Sequence, residues 1–208
     1  MLRRYAILPL AIALAAAGCT PKDNGESSEL PSDRIDLAPT VVFHTNRGRI
    51  TMELDREKAP ETVANFLLHV RGGFYNGLMF HRVRPGFMIQ AGALTPDRRK
   101  RTSPTFPIAN EADNQLLNLR ATVAMARTGD PHSATSEFFI NLKDNPVLDF
   151  NAPTTLEWGY AVFGRVSEGM DVVDAIATSP TERWNIYEAI PLDPVVIDSA
   201  FVAVGPAG

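Results

Sequence analysis

The chain has 208 residues, a length that suits one domain with a tail, and its 45% apolar and 21% charged residues are those of an ordinary globular protein. A formal net charge of −4 argues against nucleic acid as a partner, which would want a basic face. One cysteine, Cys19, excludes an intrachain disulfide, and four histidines (His44, His69, His81, His132) without ligand-type spacing favour chemistry with no metal and no cofactor.

In chain order, two positive charges at Arg3 and Arg4 precede an apolar, Ala-rich run from Tyr5 to Ala17. That run is shorter than the ~20 residues of a spanning helix and suits a signal-peptide core over residues 1–18. It ends in Ala16-Ala17-Gly18-Cys19, which resembles the lipobox of bacterial lipoproteins, with Cys19 as the lipid acceptor. Acyl chains on Cys19 would be the sole membrane contact. Thr20, rather than Asp, follows the cysteine and favours the outer membrane over the inner one. Residues 19–38 are polar, with Gly, Pro and Ser and no apolar period, and are expected to form a flexible tether between lipid and domain.

From residue 39 to 208 the pattern becomes that of a folded domain. Thr40–Thr45 and Arg49–Leu54 read as strands joined by a turn at Asn46-Arg47-Gly48. Pro60 opens a helix whose stripe is Val63, Phe66, Leu67 and Val70, and Gly72-Gly73 end it. His69 on that helix is expected at the surface or hydrogen-bonded within the fold.

The most unusual stretch is Phe80 to Gly92. It sets Arg82 in a strand-like alternation, then a Pro85-Gly86 turn, then Phe87 and Met88, then Gln90. A cation and a neutral amide beside large apolar groups suggest a shallow greasy pocket with one charged lip. Alternation points His81 away from Arg82, as a satisfied core histidine.

A basic loop, Arg98-Arg99-Lys100-Arg101, reads as a solvated tip, with contact to anionic lipid or an acidic partner as the sharper reading and Glu111 and Asp113 near enough to balance it. Ala121–Arg127, Ser136–Leu142 and Ala161–Val166 are strands. In the second, Glu137 and Phe139 share one face, and Phe138 and Ile140 the other. A short helix is expected over Met170–Ala177, with Val172, Val173 and Ile176 inward, and the chain closes on strand-like runs at 195–197 and 201–204. The segment Glu182–Tyr187 has no assigned role. His132 beside Ser133 lacks the elbow motif of a hydrolase. Many short strands with two helices point to a mainly β barrel or sandwich.

Taken together, Phe80-His81-Arg82-Val83, Gly86 to Gln90, Ala124 to Arg127, Ser136 to Ile140 and Val162 to Met170 resemble the cyclophilin-type peptidyl-prolyl isomerases, in their bacterial periplasmic branch. The likeness spans residues 40–204. It implies a closed eight-stranded antiparallel β-barrel capped by two α-helices, with an active groove on the barrel's outside. It implies isomerase activity on proline-containing polypeptides of the cell envelope, by a periplasmic monomer. By the same resemblance, Arg82 is the catalytic arginine; Phe87, Met88, Phe139 and Leu148 hold the proline ring; Gln90 binds substrate backbone and steadies Arg82. Ala126 and Arg127 form the edge along which the peptide lies, and Tyr160 takes the place of a histidine common in eukaryotic members. Glu137 stands where Gln is usual and is expected to contact cationic substrates, Arg82 or Arg127. Val147 stands where cyclosporin-sensitive members have Trp, so weak cyclosporin binding is expected. The alternative is a binding module of the same fold with little turnover.

Overall fold

The computed structural model describes residues 36–203; the expectations for residues 1–18, Cys19 and positions 20–35 lie outside them. Strands β1 (Thr40–Thr45) and β2 (Gly48–Leu54) form the expected hairpin. Its inward positions, Val41, Phe43, Ile50, Met52 and Leu54, are buried, as the period of two requires. Helix α1 (Pro60–Arg71) starts at the proline, buries Val63, Phe66, Leu67 and Val70, and ends at Gly72. Ala59 at its N-cap has no side-chain acceptor to offer. Glu111 supplies one from far along the chain, accepting from the Glu61 N–H (3.1 Å) and the Thr62 N–H (2.8 Å) and placing a negative charge at the positive end of the helix. Glu111 therefore caps a helix rather than balancing the basic loop.

The remaining elements are β3 (Phe80–Arg84), β4 (Met88–Ala91), β5 (Thr122–Met125), β6 (Phe138–Asn141), β7 (Val162–Glu168), α2 (Met170–Ala177), β8 (Thr181–Trp184), β9 (Tyr187–Pro191) and β10 (Ile197–Val202). Eight strands form one antiparallel sheet in the order β10-β1-β2-β7-β5-β6-β4-β3, and β8 with β9 forms a separate hairpin. The expected closed barrel is corrected here. The sheet is strongly curled but open, and its two end strands, β3 and β10, share no ladder. The seam is spanned by an isolated bridge between Met79 and Val196 and by bonds such as Phe80 N–H to Val195 C=O at 2.9 Å. Gly77 turns the chain on one side of the seam at φ +75°, and Pro194 on the other has no N–H to add to a ladder.

Inside the curl lies the main core, with Phe66 of α1 at its centre. The Phe66 ring sits 4.9–6.2 Å from those of Phe163, Tyr75, Phe138 and Phe43. His69 is buried and satisfied on both ring nitrogens, by Asn65 C=O at 2.8 Å and Ser103 Oγ at 2.9 Å. Burial pushes its pKa down, against the opposing pull of the Asn65 carbonyl.

The basic loop and the Glu182–Tyr187 segment explain each other. Arg98 pairs with Glu182 and lies over the Trp184 ring at 5.4 Å. Arg99 pairs with Asp97, and Arg101 donates to the Phe74 and Asn76 carbonyls. The loop fastens the β8–β9 hairpin to the domain, and Trp184 and Tyr187 pack on Met79, Ala93, Leu94 and Ile190.

Candidate active site

The outer face of the sheet carries a second apolar cluster, separate from the core: Met88, Ala124, Phe139 and Val162, with Phe87, Leu116, Ala126, Leu148 and Tyr160 against them. Strand alternation builds it. On β4, Ile89 and Ala91 enter the core while Met88 and Gln90 face outward; on β6, Phe138 and Ile140 enter the core while Phe139 faces outward. Phe87 comes from the turn after Pro85-Gly86, with Gly86 at φ +67°. Leu148 comes from a 3-10 turn, Pro146–Leu148. Ala126 and Arg127 lie just past the end of β5.

These groups enclose a cavity of about 110 Å³ lined by Arg82, Phe87, Met88, Gln90, Ala126, Arg127, Phe139, Leu148 and Tyr160. Nine of the ten groove residues expected from the sequence thus meet in one place; Glu137 is the exception. It lies behind Gln90 and takes neither arginine as partner. Its Oε2 accepts from Gln90 Nε2 at 2.8 Å and lies 3.3 Å from His81 Nε2.

Arg82 forms the charged wall of the cavity. It sits directly across from Gln90 in the β3–β4 ladder, and its Nη1 donates to Gln90 Oε1 at 3.3 Å. Desolvation, then the neighbouring Arg84, pulls its pKa down; Glu188 and Tyr160 pull it back up. The starting value of a guanidinium is so high that it stays a cation at neutral pH. Arg127 is a wall rather than a second free donor. Its Nε donates to Gly159 C=O at 2.9 Å, and its guanidinium lies 4.6 Å from the Tyr160 ring centre. Tyr160 in turn meets Phe139 edge to face at 5.6 Å.

The placement of His81 differs from the alternation reading. The β3–β4 register slips between Phe80 and Arg82, so His81 is the extra residue of a β-bulge. The bulge leaves His81 buried, yet it lines the same second cavity as Arg82 rather than the opposite face. Only its Nε2 is satisfied; Nδ1 has no partner among the described residues.

Sequence reasoning missed the asparagines that hold the groove's rim. Asn145 donates to Phe87 C=O (3.0 Å) and to Asn141 Oδ1 (2.8 Å), Asn141 donates to Asn118 Oδ1, and Asn118 donates to Leu148 C=O (3.0 Å). This buried chain ties the two sides of the cavity together. Its one visible signal was two asparagines, Asn118 and Asn141, each set among apolar residues.

Gly92 permits the close approach of β4 to the chain entering β6. It adopts φ +102°, and a Cβ there would stand 2.4 Å from Ser136 O and 2.9 Å from Glu137 Cα. Gly92→Ala is expected to destabilise the domain by about 2–3 kcal/mol through backbone strain and overpacking, read as a lower urea midpoint at unchanged slope.

A larger cleft, about 400 Å³, opens elsewhere beside Leu54, Leu117 and Leu119. Its guanidinium, Arg165, is already held by Glu53 at 2.8 Å, so it lacks the free donor that sets the smaller cavity apart.

Comparison with known proteins agrees with this geometry. Residues 40–202 match the family described as cyclophilin type peptidyl-prolyl cis-trans isomerase/CLD. The chain is 55% identical over 161 residues to peptidyl-prolyl cis-trans isomerase cyp18 of Streptomyces antibioticus, covering 77% of this chain and 96% of that protein. It is 49% identical over 163 residues to peptidyl-prolyl cis-trans isomerase B of Escherichia coli K12, covering 78% and 99%. A crystal structure of a cyclophilin type isomerase from Cryptosporidium parvum superposes with a TM-score of 0.65 at 23% identity, over 81% of this chain and 99% of that one, a likeness of fold. A curled antiparallel sheet, an apolar cavity on its outer face and an arginine on the cavity wall therefore have a common explanation: the chain belongs to the cyclophilin-type peptidyl-prolyl cis-trans isomerases.

Proposed function

We propose that the chain speeds rotation about X–Pro bonds in proline-containing polypeptides of the bacterial cell envelope, with Arg82 as its catalytic residue. The observation that carries this is Arg82, held by Gln90 on the wall of an apolar cavity of about 110 Å³. That volume is well below the ~300–1,000 Å³ of pockets for drug-sized ligands and suits a single small ring.

Peptide rotation costs about 18–20 kcal/mol because resonance makes the C–N bond partly double, and uncatalysed X–Pro exchange takes roughly tens to hundreds of seconds. No bond is broken, so the requirement is to bind the twisted amide better than the planar one. In the twisted amide the proline nitrogen regains its lone pair and accepts a hydrogen bond. Arg82 offers fixed N–H donors to that nitrogen. Phe87, Met88, Phe139 and Leu148 hold the ring, Gln90, Ala126 and Arg127 align the backbone, and exclusion of water strengthens the charge on Arg82. A millionfold acceleration needs roughly 8 kcal/mol of such differential binding.

Residues 1–18 act as the signal peptide, Cys19 as the lipid-bearing residue and 19–38 as the tether that holds a monomeric domain, residues 39–208, in the periplasm at the outer membrane. The motif at Ala16–Cys19 supports this placement. The test of the activity is cis–trans exchange of an Ala-Pro peptide followed by NMR: catalytic amounts of the protein are expected to accelerate it, and peptide binding without acceleration would leave a binding module instead. Cyclosporin is expected to inhibit only weakly, because Val147, 81% exposed, puts a small side chain at the rim where sensitive members carry Trp. Submicromolar inhibition in the same assay would refute that.

A further inference from the structure

Arg82 is the first member of a row of four side chains. Its Nη1 donates to Gln90 Oε1 at 3.3 Å, Gln90 Nε2 donates to Glu137 Oε2 at 2.8 Å, and His81 Nε2 stands 3.3 Å from the same carboxylate oxygen. The ends of the row decide its direction. A guanidinium only donates and an ionised carboxylate only accepts. The Gln90 amide between them, able in isolation to present either face, is left with one orientation, –NH₂ toward Glu137 and C=O toward Arg82. A glutamine at position 137 would leave that choice open, because its own amide presents a donor as readily as an acceptor.

We infer that Glu137 is a positioning residue, whose carboxylate fixes the Gln90 amide so that Gln90 Oε1 holds Arg82 against the proline cavity. The inference rests on the isomerase reading of Arg82 given above. Three further observations carry it. Glu137 lies outside the set of groups lining the proline cavity, so its effect on turnover passes through Gln90. Gly92, just past β4 and two residues on from Gln90, lies so near the backbone of Glu137 that a Cβ there would stand 2.9 Å from Glu137 Cα. His81 is buried, and its Nδ1 has no partner among the described residues, so Glu137 is the one polar group seen to hold that ring. A carboxylate cannot donate, so His81 Nε2 carries the hydrogen in this contact.

The groups facing Glu137 are His81 from β3, Gln90 from β4, Lys100 from the basic loop, and Tyr187 and Glu188 from β9, with Arg82 beyond Gln90. Burial pushes the Glu137 carboxyl up. Hydrogen bonds from His81 and from the amide of Gln90, with the charge of Lys100, outweigh burial and hold it below the usual carboxylate range. The row therefore persists through neutral and mildly acidic pH and is lost as pH falls through that lowered value.

The experiment compares the unaltered chain, Glu137→Gln and Arg82→Ala in the Ala-Pro exchange assay. Glu137→Gln keeps shape and removes the acceptor-only end. Turnover is expected to fall about tenfold, the worth of one charge-assisted hydrogen bond, with the peptide Kd changed by less than about twofold. The Arg82 Nε–H signal in the NMR spectrum should broaden as the side chain samples more than one rotamer. Unchanged turnover in Glu137→Gln, or a loss that lies wholly in Kd, overturns the inference. If Arg82→Ala is inactive while Glu137→Gln is fully active, the positioning role alone fails; if Arg82→Ala is as active as the unaltered chain, the isomerase reading fails with it. Should Glu137→Gln fold poorly, the unaltered chain supplies the answer. Its Gln90 side-chain N–H protons should exchange slowly with water at neutral pH and faster at acid pH, and fast exchange throughout overturns the inference.

Discussion

Arg82→Ala is expected to lower kcat/KM for an Ala-Pro peptide by about 10²–10³-fold, comparable to removal of one preorganised donor aimed at a transition state. The peptide Kd should move far less. The planar ground-state amide offers its nitrogen lone pair to resonance rather than to a donor, so Arg82 has little to bind until the bond twists. The apolar wall of Phe87, Met88, Phe139 and Leu148 remains after the substitution and still takes the ring. Arg82→Lys should recover only part of the loss, because a lysine is a point charge on a flexible stem that cannot keep one donor on Gln90 while aiming another at the cavity. The measurement is exchange NMR at matched protein concentration, with Kd from chemical-shift titration. A variant that binds and turns over like the unaltered chain would remove Arg82 from the mechanism.

The second large effect concerns stability. Phe66→Ala is expected to destabilise the domain by about 3–5 kcal/mol, the range for deleting a fully buried aromatic side chain. Phe66 is wholly buried and meets four rings from β1, β6, β7 and the segment after α1. No single neighbour can fill the hole without leaving its own contacts, so relaxation recovers little. Urea unfolding should show a large drop in midpoint with a nearly constant slope. Because Phe138 packs on Phe66 and adjoins Phe139 in β6, some loss of turnover is expected at temperatures where the variant is still folded.

Much of this was legible from side-chain period and turn residues. The stripe on α1, the β1–β2 hairpin, the Pro85-Gly86 turn and the in–out alternation of β6 follow local rules, and the structure has them where those rules put them. The groove residues were named through motif resemblance, because period alone says that Phe139 and Phe138 part company and not which of them meets Arg82. What escaped the sequence was non-local or broke the period. A bulge of one residue returned His81 to the side of Arg82. Glu111 caps a helix 50 residues away. The basic loop finds its acid at Glu182, 84 residues on from Arg98. The open seam is bridged by residues 77–80 and 195–197, more than a hundred residues apart in the chain.

That seam bears on how the molecule breathes. Where a ladder is continuous, opening one strand breaks bonds on both sides at once; at the seam, β3 has its ladder with β4 and only scattered bonds toward β10. Local opening is cheapest where few backbone bonds must break together, and β3, which bears Arg82, is laddered on one edge only, although its Phe80 anchors it to Phe138 in the ring cluster of the core. A groove whose substrate must sweep a carbonyl through half a turn gains from compliance on one wall. The seam lies beside the strand that carries the charge, while the Asn118–Asn141–Asn145 chain joins Phe87 to Leu148 and ties the apolar sides of the groove together.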